Sequence, residues 1–170
     1  MTRDKKIIAI WAQTENGIIG KNQTMPWHLP AELKHFKDTT MGQALLMGRV
    51  TFDGMKRRTL PGRETLVLTR DMTYSAEGVT VVHTVEEALA WFDQQEKDLY
   101  IAGGSVIYKA FEGHYDRLIK TTIHAELEGD TYFPTLADDH MTQVSEQTIQ
   151  RDDKNPYAFT ISIFDKKEEN

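Results

Sequence analysis

Five short apolar runs, KIIAIWA, QALLMG, ETLVLT, VTVVH and DLYIAGG, set the strongest constraint on how this chain can fold. None alternates apolar with polar residues as a half-exposed strand does, so each reads as a strand covered on both faces. Several are followed by a helical pattern. The best signalled is TVEEALAWF, where Thr84 offers a cap, Glu87 follows three residues later, and Val85, Leu89 and Phe92 form an apolar stripe. Buried strands joined by helical crossovers build an open sheet of mostly parallel strands. From Asp116 onward the pattern changes. YAFTISIF puts Tyr157, Phe159, Ile161 and Ile163 on one face, and DKNP before it supplies a turn, so an antiparallel hairpin is expected to close the sheet. The expected fold is α/β: a single domain over residues 1–170, with a central mostly parallel sheet, an antiparallel C-terminal hairpin and about four flanking helices.

A chain of 170 residues can bury one sizeable core, roughly 70 % of the surface its unfolded form exposes. Cysteine is absent, which excludes disulfides, thiol nucleophiles and thiolate metal sites and suits a reducing cytoplasm. The opening MTRDKKIIAIWAQTENG carries an apolar run too short for a signal peptide or a membrane span. A formal charge of −6 argues against a general affinity for nucleic acid or anionic membranes. A small anionic ligand would therefore be held by a few local arginines. The six histidines show no spacing suited to a metal, so no metal site is expected, and neither a Gly-x-Ser-x-Gly elbow nor a P-loop occurs.

Five stretches could carry chemistry. In MPWHLPAELKHF, Pro30 suits a helix start, Glu32 falls in its first turn, and Leu29, Leu33 and Phe36 mark a buried stripe. The acid is then half hidden; its plain reading is a charge that favours the helix dipole. In YIAGGSVIYKAF a strand runs through Gly103 and Gly104 into a helix, as a phosphate-binding turn or a purely structural one would. In MGRVTF and VLTR, Arg49 and Arg70 stand at strand ends beside Thr51 and Thr69, where they could converge on a phosphate or simply face solvent. In RRTLPGRET, Arg63 follows a proline–glycine turn and is either a carboxylate clamp or a surface charge.

Taken in order, IWAQTENGIIGKNQTMPWHLPAELKHFK, LLMGRVTFDGM, LPGRETLVLTR, YIAGGSVIYKAF and EGDTYFP resemble dihydrofolate reductase over nearly the whole chain. The resemblance implies reduction of 7,8-dihydrofolate by NADPH, with antifolate inhibitors as further ligands and a monomeric protein. It makes Glu32 the active-site carboxylate, with Trp27 beside a water that relays the proton and Met25 near the nicotinamide. It assigns Ile10, Trp11, Ala12, Leu33, Phe36, Thr51, Met55, Leu60, Ala102, Tyr108 and Thr121 to the substrate pocket, and Arg63 to the substrate's α-carboxylate. For the cofactor it implies Ala12, Ile19, Gly20, Gly48, Arg49, Val50, Thr51, Leu68, Thr69, Arg70, Ala102, Gly103, Gly104, Ser105, Val106, Ile107 and Tyr108. Within this set, Arg49, Thr69 and Arg70 match the surroundings of the 2′-phosphate.

The family often carries a cis peptide between the paired glycines and a mobile loop matching TENGIIGKNQTMPW, which Asp130 can hold by a hydrogen bond. Three departures stand out. Glu32 replaces an aspartate common in bacterial relatives, KRRTLPGR is one residue longer than the usual spacing and leaves Arg57 and Arg58 without a role, and Ala102 is smaller than the usual branched residue. Two other readings of this scaffold remain open: a pyrimidine reductase of riboflavin synthesis, and a non-catalytic nucleotide-binding module.

Overall fold

The computed structural model describes residues 5–21, 25–136 and 140–167. Residues 1–4 of the basic opening and 22–24 of the loop expected to be mobile lie outside the described residues. The five apolar runs are all strands: β1 (Ile7–Thr14), β3 (Ala44–Gly48), β4 (Glu64–Leu68), β5 (Val79–Val82) and β6 (Leu99–Ile101). With β7 (Arg117–Ile123), β9 (Met141–Ile149) and β10 (Phe159–Lys166) they form one eight-stranded sheet in the order β5-β4-β3-β6-β1-β7-β10-β9. Every pairing from β5 to β7 is parallel, and only β7–β10 and β10–β9 are antiparallel. The change of pattern expected at Asp116 thus comes one strand later, because β7 still runs parallel to β1. A second, two-stranded sheet pairs β2 (Ile18–Gly20) with β8 (Thr131–Tyr132).

Four helices cross over: α1 (Pro30–Thr40), α2 (Arg49–Gly54), α3 (Val85–Asp93) and α4 (Ser105–Ala110). Strand alternation divides the core into two layers. Ile7, Ala9, Leu46, Leu66 and Ile101 pack with Ala88 and Phe92 of α3 and Phe111 after α4. On the opposite face Ile8, Ile10, Leu45, Met47 and Val67 pack with Leu29 and Phe36 of the α1 segment and Phe52 of α2. Tyr157, Phe159, Ile161 and Ile163 share this second layer, as their alternation predicts. α3 starts where its cap signals it: Thr84 Oγ1 accepts the Glu87 N–H at 3.0 Å, and Glu87 Oε2 accepts the His83 N–H at 2.7 Å. Because β1, β3, β4, β6 and β7 run parallel, their carboxyl ends open on one edge of the sheet, where α/β folds hold ligands.

Candidate active site

Three glycines and two helix starts meet on that edge. β3 ends at Gly48, which caps α2, and β6 leads through Ala102 and Gly103 to Gly104, which caps α4; no side chain caps either helix. The Gly48 N–H donates to Gly103 O at 2.9 Å, bringing the two turns together. The Gly103–Gly104 peptide is cis, and Gly103 has φ +117°. Gly48 has no room for a side chain, since a Cβ there would lie 2.9 Å from Ile107 Cγ1. Thr51 Oγ1 reaches the same point, 3.4 Å from the position of a Cβ on Gly104. Helix starts whose N-cap glycines offer no side chain to accept their N–H groups suit a pyrophosphate.

Arg49, in the first turn of α2, is placed by three other residues. Its Nε lies 3.4 Å from Asp53 Oδ2, its Nη1 lies 3.2 Å from Asp71 Oδ2, and its guanidinium sits 5.2 Å from the centre of the Tyr74 ring. Tyr74 OH donates to Asp53 Oδ1 at 2.9 Å. Thr69 stands at the end of β4, its Oγ1 accepting the Asp71 N–H and its carbonyl accepting from His83 Nδ1 at 2.8 Å. Arg70 is exposed beside it. Val50 and Val106 are exposed on the same edge, and Ser105 is half-buried.

At the other end of the edge, Glu32 in the first turn of α1 is only 7 % exposed. Burial raises its pKa from 4.5 to about 7. Trp27 is buried, and its indole N–H has no acceptor among the described residues. Tyr108 OH donates to Ile10 O at 2.8 Å; burial, and then the charge of Glu32, push that phenol upward. Ile10, Ala12, Phe36, Met55, Leu60 and Ala102 gather in the same layer, and the buried Thr121 lies opposite Ala12 in the β1–β7 register. Arg63 borders α1: its Nε and Nη2 donate to Pro61 O at 3.1 and 2.9 Å, and its Nη1 lies 3.4 Å from Thr40 Oγ1. A buried acid, a slot of apolar side chains and an arginine at the rim form a site for a flat ring with one polar edge and a charged tail.

Comparison with known proteins agrees with that chemistry. The family model described as dihydrofolate reductase matches residues 6–166. This chain belongs to the dihydrofolate reductase family. The dihydrofolate reductase of Lactococcus lactis subsp. lactis is 48 % identical over 163 residues, covering 94 % of this chain and 97 % of the relative. That of Bacillus subtilis is 36 % identical over 158 residues, 93 % of each chain. Among solved structures, dihydrofolate reductase from Enterococcus faecalis, complexed with NADP(H) and RAB-propyl, superposes with a TM-score of 0.94 at 43 % identity, covering 99 % of this chain and all of that one.

Two side chains face otherwise than expected, Trp11 from the resemblance to dihydrofolate reductase and Leu33 from helical spacing. Trp11 turns to the opposite layer from Ile10 and Ala12, where it stacks on Phe133 at 3.8 Å between ring centres. Its side chain is therefore not in the slot with Glu32, as strand alternation alone dictates. Leu33, placed on the buried stripe, is 43 % exposed, because α1 turns Glu32 and Thr40 inward instead. Ile19, Leu68 and Ile107 pack against the Trp11 layer, Gly20 is buried, and Met25 is 48 % exposed. The sequence reading missed Asp53, Asp71 and Tyr74 around Arg49. For Asp53 a signal existed, since it lies one helical turn from Arg49. Arg57 acquires a place here too: its Nε donates to Asp53 Oδ1 at 2.9 Å, and its guanidinium lies 5.1 Å from the centre of the Tyr74 ring. Within KRRTLPGR the backbone is left-handed at Lys56 and Arg57, φ 58° and 56°.

Proposed function

We propose that this chain catalyses the NADPH-dependent reduction of 7,8-dihydrofolate to 5,6,7,8-tetrahydrofolate, with hydride addition at pterin C6 and protonation at N5, supporting one-carbon metabolism and nucleotide synthesis. Family membership favours this reading over the pyrimidine reductase and the silent module. The observation that carries the mechanism is the buried Glu32 with a pKa of about 7. At that value the carboxyl is poised to hold or release a proton near neutral pH. It accepts hydrogen bonds from the pterin's 2-amino group and ring N–H, donors that favour its charged form and oppose the effect of burial.

The Trp27 N–H, buried without an acceptor among the described residues, fits a water that passes the proton toward N5. Ile10, Ala12, Phe36, Met55, Leu60 and Ala102 exclude bulk water from the ring, and Thr121 and Tyr108 border it. Arg63, held through Pro61 and Thr40, keeps an N–H on each terminal nitrogen for the substrate's α-carboxylate. When bound, NADPH supplies the hydride; the helix starts after Gly48 and Gly104 would hold its pyrophosphate, and Arg49, Thr69 and Arg70 its 2′-phosphate. The protein is proposed to act as a cytoplasmic monomer. No helix among the described residues is long and apolar enough to cross a membrane.

Replacing Glu32 with Gln tests the mechanism. Turnover at neutral pH should fall about a hundredfold while NADPH still binds, and the rate should recover as acid supplies substrate already protonated at N5. Near-normal turnover at pH 7 in a folded Glu32→Gln protein would overturn the assignment.

A further inference from the structure

Helix α1 carries Glu32 in its first turn, yet its own N-cap residue, Leu29, has no side chain able to cap it. The opening N–H groups of a helix need acceptors from elsewhere. Pro30 has no N–H, and those of Glu32 and Leu33 donate to Leu29 O at 3.0 and 3.1 Å. The Ala31 N–H donates to Oδ1 of Asn155, at 2.9 Å and 124 residues further along the chain. Asn155 is 5 % exposed and belongs to the DKNP turn between β9 and β10.

Its amide is fixed in orientation. Asn155 Nδ2 donates to Asp152 Oδ1 at 2.9 Å, and an ionised carboxylate only accepts, so the amide oxygen is the atom turned toward α1. Asp152 Oδ1 in turn accepts the backbone N–H groups of Lys154 and Asn155 at 2.9 and 2.8 Å. The hairpin therefore offers a preset acceptor to the N–H of the residue immediately before Glu32.

We propose that Asn155 is a positioning residue for the reaction: the β9–β10 turn caps α1 from across the molecule and so sets where the Glu32 carboxyl stands in the pterin slot. The proposal rests on the assignment of Glu32. A cap within α1 would steady the helix alone, whereas this one ties it to β10. Ile161 of β10 pairs with Thr121 of β7, so Glu32 and Thr121, on two sides of the slot, are referred to one frame. A shift of about 1 Å in a reacting group can cost about a hundredfold in rate.

Asn155→Ala should lower kcat with dihydrofolate about tenfold and leave the KM for NADPH unchanged. Asp152→Ala keeps Asn155 but frees its amide to turn, and should show the same split in smaller measure; it decides the question if Asn155→Ala does not fold. Loss of thermal stability with kcat intact, or a rise in the KM for NADPH parallel to the loss of kcat, would overturn the proposal. Glu32→Gln run alongside separates the two claims: a crippled Glu32→Gln with a normal Asn155→Ala removes only the positioning role, and a normal Glu32→Gln removes both.

Discussion

Glu32 meets two opposed demands, since the slot that makes it useful also makes its charge costly. Its folded-state pKa of about 7 lies above the ordinary 4.5, so between these values the folded protein binds the additional proton and stability falls as pH rises. The full cost, reached above pH 7, is about 3 kcal/mol. His35, one turn further along α1, works the other way: burial lowers its pKa below 6.5, so stability is complete above that value and is lost as pH falls below it. Comparing urea unfolding of the ligand-free wild type and Glu32→Gln cancels the histidine. The variant should gain on the wild type from pH 4.5 upward and level off above pH 7 at an advantage of about 3 kcal/mol; a pH-independent difference would refute burial as the cause of the raised pKa. That Glu32 belongs to a helix start was legible from Pro30, but its depth was not, because the stripe of Leu29, Leu33 and Phe36 gives a helix face without saying what covers it. Leu33 ended exposed for that reason. The layer of the Trp11 side chain, in contrast, was legible from strand alternation: its neighbours Ile10 and Ala12 face the other layer.

Elements were easiest to read where burial repeats over several residues, and hardest where a contact is short and made by loops. The apolar runs became strands, and Thr84 and Glu87 marked the start of α3, although the reciprocal bond to Glu87 comes from His83. The β2–β8 pair left no periodicity to find. It depends on Gly129, where a Cβ would collide with the side chain of Ile18 and lie 2.6 Å from Gly20 O. Gly129→Ala must therefore push the β8 segment away from β2 and strain the 3.0 Å bond from the Asp130 N–H to Gly20 O. The expected destabilisation is about 1–3 kcal/mol, with amide hydrogen exchange at Asp130 much faster than in the wild type. Unchanged protection of that amide would show that the two loops do not depend on this close approach. The contact between Asn155 and Ala31 was equally hidden: DKNP announced a turn, but nothing local tells that its side chain reaches a helix 124 residues earlier.

Across the whole molecule, the sheet order brings distant residues to one edge. Ala12 on β1, Gly48 at the end of β3, Thr69 after β4, Ala102 after β6 and Thr121 on β7 share it because their strands run parallel. The parallel arrangement was readable from strand composition, whereas the cage of Asp53, Asp71 and Tyr74 around Arg49 required the loops to be in place. With a net charge of −6, the molecule as a whole repels an anionic dinucleotide, so recognition falls to local groups such as Arg49, Arg70 and the helix starts. The central claim is that this edge joins NADPH to a dihydropterin. Following the absorbance of NADPH with the purified protein, with and without dihydrofolate and with NADH in its place, tests it most directly. Consumption of NADPH should begin only when dihydrofolate is added, proceed mole for mole with it, and be far slower with NADH; NADPH consumption that is absent or indifferent to dihydrofolate would contradict the account.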